Sequence, residues 1–274
     1  MVATQHGKER AVAPAMLHLL GLEVFVPDRI DTDVLGTFSG DVARPGSMLD
    51  TAVAKARLGM ALEGCALGIA SEGSYGMHPH VPFLRGGLEI MVMVDHERDL
   101  IIHEELVVDG PHADHRRVRP GDEVRGLLDE FDFPAHGLLV RPAVQQRARR
   151  GTASVRDVAE LDHAVARAAE DSDDGHAVVF TDMRADRNPK RMANLVRLAH
   201  RLARRVRTPC PSCASPGFGV RRRPPGLPCR QCGTPSGMAL GSVWGCVRCP
   251  HEDVREREDG RVRADPGACS FCNP

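Results

Sequence analysis

A chain of 274 residues and 29.8 kDa, 42% hydrophobic and 27% charged, has room for one large domain plus an appendage or for two modest domains, and its composition is that of a globular protein. No apolar run approaches the roughly 18–20 residues that span a bilayer, so no membrane partner is expected. The opening MVATQHGKER has no apolar signal core, which makes a cytoplasmic location the expectation.

Lys8 to Leu20 reads as a first helix after a short strand within residues 1–5, with Ala11, Val12, Ala15, Met16 and Leu19 apolar and Pro14 inside the run. Leu22–Val26 reads as a buried strand stopped by Pro27, and a polar loop follows to Ser47. Leu49 to Leu62 is helical, with Ala52, Ala56 and Met60 as its buried stripe. Ala66–Ala70 and Leu88–Val94 are strands, and Leu100–Val108 pairs with the latter as a hairpin around Asp95–Asp99. Between them, His78 and His80, flanked by Pro79 and Pro82, read as a rigid surface loop. A short helix over Glu123–Phe131, a strand over His136–Val140, a helix over Ser154–Ala169 and a strand over His176–Thr181 complete the pattern. Asn188 caps a last helix to Val206, with Pro189 at its first position. Met192, Leu195, Ala199, Leu202 and Val206 form its apolar side, and Arg197, Arg201, Arg204 and Arg205 the other. Helices alternating with strands predict an α/β domain with a mixed sheet over residues 1–186, a basic connecting helix over 187–208 and a separate module over 209–274.

That last module is where the cysteines lie. Eight of nine form Cys-x-x-Cys pairs: Cys210/Cys213, Cys229/Cys232, Cys246/Cys249 and Cys269/Cys272. Each pair puts two thiolates on one knuckle, and two knuckles complete a tetrahedral four-thiolate site, so the spacing predicts two structural Zn²⁺ ions in a double zinc-ribbon-like module. Large apolar residues are too few here to offset chain entropy, whereas a structural zinc contributes on the order of 10–16 kcal/mol. The order of the pairs favours sequential ribbons, first with second and third with fourth, over an interleaved cross-brace. Eight thiolates fill both sites and leave no open position for catalysis. Cys65, the ninth, reads as a small buried hydrophobe.

The charge is lopsided. The formal net charge is −1, yet residues 187–223 hold eleven basic side chains and no acidic one, which marks where an anionic partner would dock. Of the 36 basic residues only Lys8, Lys55 and Lys190 are lysines, and a compact ammonium is not interchangeable with a guanidinium at a phosphate site. Thr4-Gln5-His6-Gly7-Lys8 stands at a turn from strand to helix, where backbone N–H groups bind anions and Gly7 permits close approach. Asp50 and Lys55 share a helix, and Glu72 follows a strand at the end where α/β sheets build sites.

These three segments resemble the signature segments of the inosine/xanthosine triphosphate pyrophosphatases and the related non-canonical purine nucleotide phosphatases. In those families a Ser/Thr-x-Asn-x-x-Lys turn binds phosphate, here Thr4 to Lys8 with His6 where they have Asn. The helix start Asp50 to Arg57 and the stretch Gly68 to Gly73 match the other two. The resemblance implies a Mg²⁺-dependent nucleotide pyrophosphatase, with Glu72 holding the metal or activating water and Asp50 or Asp95 and Asp182 assisting. Thr4, His6, Gly7, Lys8, Lys55 and Arg184 would contact phosphate. The whole chain more closely resembles an uncharacterised bacterial family of unknown function with a cysteine-rich tail. The likeness is carried by Thr4 to Glu9, Ala70 to Ser74, Thr181 to Met192 and the tail itself. That family has a Glu and a His flanking the third motif, where this chain has Phe180 and Asp186.

Two other function classes fit the same residues. One is a non-enzymatic zinc-ribbon module contacting nucleic acid through Arg201, Arg204, Arg205, Arg207 and Arg221–Arg223, although aromatics at 4% offer few stacking platforms. The other is a module that docks a protein partner, which the sequence does not name.

Overall fold

The computed structural model describes residues 1–36, 46–77, 85–109, 115–121, 126–144 and 152–274. The fold is mixed α/β, with three sheets and five helices among the described residues. It divides into two compact units, Met1–Leu202 and Ala203–Pro274.

In the first unit, α1 (Glu9–Leu20) and α2 (Met48–Glu63) precede an antiparallel meander of β1 (Leu67–Met77), β2 (Arg85–Asp95) and β3 (Leu100–Asp109). The hairpin expected around Asp95–Asp99 is there, with Asp95 paired to Leu100. The sheet is mixed because the N-terminus joins it in parallel: Val2 bridges Ile69, Ala3 N–H donates to Ile69 O at 2.8 Å and Ile69 N–H to Met1 O at 3.0 Å. Leu22–Val26 forms no strand; Phe25 O accepts from Val2 N–H at this edge and Val26 packs against the cluster beneath it, while Phe25 itself stays half exposed. Apolar burial holds α2 to one face of the meander, where Ala52, Ala56 and Met60 meet Ala70, Ile90, Val92 and Val94. Cys65 is partly buried at the margin of this cluster. Pro14, the sixth residue of α1, lies past the first turn and so gives up the helical N–H that would bond the Arg10 carbonyl.

A second sheet follows in the order β4 (His115–Val118), β7 (Ala177–Thr181), β5 (Leu138–Pro142) and β6 (Ala153–Val155), all antiparallel. The chain thus builds two sheets where the strand pattern predicts one. Helix α4 (Val158–Glu170), capped by Asp157, buries Leu161, Val165 and Ala168 on Val140, Val155, Ala177 and Val179. The short α3 (Gly126–Glu130) lies between β4 and β5. Helix α5 (Pro189–Arg207) starts as the sequence predicts, with Asn188 Oδ1 accepting from Arg191 N–H at 2.9 Å. The loop carrying His78 and His80 lies outside the described residues.

The second unit is a three-stranded antiparallel sheet, β8 (Gly219–Arg222), β9 (Gly241–Gly245) and β10 (Glu252–Glu256), surrounded by cysteine knuckles. Its apolar core is small, Phe218 with Cys210 and Cys246 and, partly buried, Trp244 and Cys249.

Candidate functional site

Two sets of four thiols converge in the second unit: Cys210, Cys213, Cys246 and Cys249 in one, Cys229, Cys232, Cys269 and Cys272 in the other. Sγ–Sγ separations are 3.7 Å for Cys210–Cys249, 3.6 Å for Cys213–Cys246, 3.9 Å for Cys229–Cys272 and 3.6 Å for Cys232–Cys269. A tetrahedron of sulfurs about 2.3 Å from zinc has edges of about 3.8 Å, whereas a disulfide would bring two sulfurs to about 2.05 Å. The donor set therefore fits one zinc per group. Backbone N–H groups support the thiolates, Arg248 N–H at 3.2 Å from Cys246 Sγ and Gln231 N–H at 3.4 Å from Cys229 Sγ.

The pairing is interleaved, first knuckle with third and second with fourth, which corrects the sequential order expected from the sequence. Strand pairing dictates it. Antiparallel β8 and β9 place Gly219 opposite Gly245, so the chain leaving Cys213 lies beside the chain entering Cys246. The second knuckle is carried to the fourth by a parallel bridge between Cys229 and Ala264, closed by Arg230 N–H to Ala264 O and Ala264 N–H to Pro228 O. Neighbours in sequence are kept apart because each lies at a different end of these pairings.

The first two knuckles are also copies of one another, which the sequence reading missed. Pro209-Cys-Pro-Ser-Cys-Ala-Ser-Pro216 and Pro228-Cys-Arg-Gln-Cys-Gly-Thr-Pro235 share Pro-Cys-x-x-Cys-small-Ser/Thr-Pro. In both, the prolines bridge one another, and Cys210 N–H donates to Ser215 O as Cys229 N–H does to Thr234 O. Ala214 and Gly233 both adopt positive φ, 58° and 77°, as each turn reverses. Aligning the flanking prolines is the signal that reveals the repeat.

The first unit holds a buried charged cluster. Parallel pairing along the β1 edge stops after Ala3, and the next outward carbonyl of the edge with a recorded partner, Ser71 O, accepts from Lys8 Nζ at 3.1 Å. Thr4, at 3% exposure, turns the chain away, its Oγ1 accepting from His6 N–H at 3.1 Å, and Gly7 takes a φ of +65° before α1. Side chains alternate across β1. Glu72 faces α2, where Lys55 Nζ donates to its Oε1 in a buried pair. Gly73 and Tyr75 face the other way, where Arg191 Nε donates to Glu89 Oε1 at 2.6 Å, the Tyr75 hydroxyl donates to the same carboxylate, and Arg191 Nη1 donates to Met183 O. A Cβ at Gly73 would sit 2.7 Å from Glu89 Oε2 and 3.0 Å from Arg191 Nη2, so glycine is what lets this pair cross β1.

Three buried cations thus face two buried carboxylates. Lys55 answers Glu72 and Arg191 answers Glu89, while the recorded hydrogen-bond partner of Lys8 among the described residues is the carbonyl of Ser71. Burial lowers the Lys8 amine to about 8, with Arg191 adding to the shift and Glu72 and Glu89 opposing it. Burial also raises the Tyr75 phenol, and the charge of Glu89 raises it further. The hydroxyls of Thr51 and Ser71 are buried without hydrogen-bond partners. Thr51 lies one turn before Lys55 on α2, and Ser71 adjoins Glu72.

Of the site residues drawn from the sequence, Thr4, His6, Gly7 and Lys8 form one turn, and Lys55 and Glu72 lie within electrostatic reach of Lys8. Glu72 lies inside β1 opposite Ile90, rather than at a strand end. Asp50 does not join it: the carboxylate accepts from Ser47 N–H and Oγ in a capping box at the exposed start of α2. Asp95 is taken by Arg98 at 2.8 Å. Asp182 is fully buried and held by Arg184, whose guanidinium also reaches Ser154 at 2.9 Å. Among the described residues, only the two cysteine groups bring three or more metal-ligating side chains together, so the expected Mg²⁺ carboxylates do not assemble there. Asp186 stands 3.8 Å from His6 Nδ1, bringing the third motif to the Lys8 turn. The sequence marks Arg191 only as part of that motif; its place three residues after the cap Asn188 on the apolar side of α5 is the signal that buries it.

The profile of a family described as a domain of unknown function, DUF6671, matches residues 55–274, from Lys55 through all eight paired cysteines, and the chain belongs to this family. No curated protein and no solved structure matches.

Proposed function

We propose that this DUF6671 member is a zinc-braced binding protein whose first unit takes a phosphate-bearing small molecule, nucleotides among the class, at the Lys8 turn. The two zinc ions are structural: with four thiolates each they offer no open coordination position. The observation that carries the reading is Lys8, a buried ammonium at the start of α1 whose one recorded hydrogen bond is to Ser71 O and which forms no ion pair among the described residues. A buried cation without a counter-charge is costly, and an anion supplies the missing partner. The positive end of α1 and the Gly7 turn favour the same ligand. Binding is favoured over phosphohydrolysis because the carboxylates that would hold Mg²⁺ or activate water are engaged elsewhere, Glu72 by Lys55, Asp182 by Arg184 and Asp50 by Ser47.

The test is thermal unfolding of zinc-loaded protein with and without inorganic phosphate, beside Lys8→Met. Phosphate should raise the wild-type midpoint and leave the variant unmoved; equal shifts in both would remove Lys8 from the site. Release of phosphate from a nucleotide panel, abolished by Glu72→Gln, would restore the hydrolase reading.

A further inference from the structure

The two four-thiolate groups have the same ligands but are not held together by the same amount of protein. Thiol burial does not separate them: in each group two cysteines are buried, one is partly buried and one is exposed. Turns within a knuckle do not separate them either, since the first two knuckles share the same proline bridge and the same N–H to carbonyl closure. The difference lies in what joins the two knuckles that must meet on one metal.

A sheet joins the first knuckle to the third. Strand β8 leaves the first and β9 enters the third, with Gly219, Val220 and Arg222 opposite Gly245, Trp244 and Val243, and β10 extends the ladder on the far side of β9. Phe218 packs on Trp244 with ring centroids 5.9 Å apart, in the small core that takes in Cys210, Cys246 and Cys249. Arg221 Nη1 donates to Cys246 O at 3.3 Å, and Cys246 Sγ accepts from Arg248 and Cys249 N–H.

The second knuckle meets the fourth with less support. Among the described residues they are joined by the parallel bridge between Cys229 and Ala264, with its two hydrogen bonds. An ion pair adds to it, Arg230 to Asp265 at 3.0 Å, but those side chains are 65% and 60% exposed and hold little. Leu227, two residues before Cys229, is buried, whereas Val262 and Phe271, the latter inside the fourth knuckle, are 79% and 73% exposed.

Metal affinity includes the cost of bringing the ligands together. Where a sheet and a core already hold two knuckles side by side, that cost is small; where one bridge does, most of it falls on the metal. We infer that the module holds one persistent zinc, on Cys210, Cys213, Cys246 and Cys249, and one exchangeable zinc, on Cys229, Cys232, Cys269 and Cys272. The second site then responds to zinc availability while the first keeps the fold. Saturated coordination does not prevent exchange, because a knuckle that swings away takes two thiolates with it and opens the metal to a competing ligand. This rests on reading both groups as zinc sites.

The experiment equilibrates the zinc-loaded full chain across a series of chelator-buffered free Zn²⁺ concentrations. Native mass spectrometry counts the zinc, iodoacetamide alkylation maps the freed cysteines, and emission follows Trp244. A one-zinc species should accumulate, the first zinc being half lost at a free Zn²⁺ concentration at least tenfold above that for the second. In that species Cys229, Cys232, Cys269 and Cys272 should be alkylated, the Cys210 group protected and the emission native. Joint loss of both zincs, or a one-zinc species alkylated at the Cys210 group, would overturn the inference while leaving two zinc sites standing. Zinc-loaded protein that carries fewer than two zincs would overturn the zinc reading itself. Cys232→Ser should keep one zinc and native Trp244 emission, whereas Cys213→Ser should change the emission; equal or reversed responses would count against the ranking. The wild-type series is read alone, so it holds even if a variant misfolds.

Discussion

Lys8→Met should make the ligand-free protein more stable at neutral pH, although it removes a hydrogen bond. The amine falls from 10.5 to about 8 in the folded state, a shift that corresponds to about 3 kcal/mol of destabilisation while the group is charged. Methionine fills much the same space without charge. Loss of the contact to Ser71 O returns about 1 kcal/mol, which leaves a net gain of about 2 kcal/mol. The sign of the pH dependence follows from linkage. A folded-state pKa below the unfolded one means that between about pH 8 and 10.5 the unfolded chain binds more protons, so wild-type stability from this residue rises with pH across that window. Below pH 8 the penalty is complete. The advantage of the variant should therefore be largest at pH 7 and shrink toward pH 10. Urea unfolding followed by far-ultraviolet circular dichroism, in zinc-containing and phosphate-free buffer at pH 7, 8, 9 and 10, measures it. A variant less stable than wild type at pH 7, or a difference constant across the series, would refute the claim that Lys8 is an unanswered buried charge.

Other changes follow from the same geometry. Glu89→Gln leaves Arg191 charged and buried, which should cost about 3–5 kcal/mol in chemical denaturation. Gly73→Ala forces a methyl group to within 3.0 Å of that pair and should cost about 1–3 kcal/mol, with similar losses expected for Gly73→Ser. Chelation of zinc should unfold the second unit, whose apolar core is a handful of residues. The single tryptophan, Trp244, packed under Arg255 at 3.8 Å, should report this by a fluorescence change. Under partial demetallation, mass-spectrometric mapping of alkylated cysteines should show Cys210 protected together with Cys246 and Cys249; protection together with Cys229 would restore the sequential pairing.

Local physics was legible in the chain. The apolar period of α2, the Asn188-Pro189 start of α5 and the hairpin across Asp95–Asp99 each rest on residues close in sequence, and each is where the pattern puts it. Ligand identity at the cysteine knuckles was equally plain, because spacing alone fixes which thiols sit on one turn. What escaped depends on pairing at a distance. The interleaved zinc order is set by Gly219 meeting Gly245 and Cys229 meeting Ala264, registers that no local pattern encodes. The apolar pattern ends at Ala70 and so puts Glu72 at a strand end, yet the polar run Ser71–Gly76 continues β1, with Ser71 and Glu72 buried. Glycine, serine and a buried ion pair hide a strand from any hydrophobic count. Asp50 is the exception to that rule of distance: its partner Ser47 lies only three residues away, and Ser-x-x-Asp ahead of an apolar run is a local capping-box signal that spends the carboxylate at the helix start.

Nuclear magnetic resonance of lysine side chains tests the central claim most directly, because the chain has only Lys8, Lys55 and Lys190 to label. With ¹³C-labelled lysine, the resonance missing from Lys8→Met identifies Lys8, and its Cε shift is followed through pH with and without inorganic phosphate. The account predicts a titration midpoint near 8 in the free protein that moves upward when phosphate binds, since a bound anion favours the charged amine. A midpoint in the ordinary lysine range near 10.5, unmoved by phosphate, would contradict it.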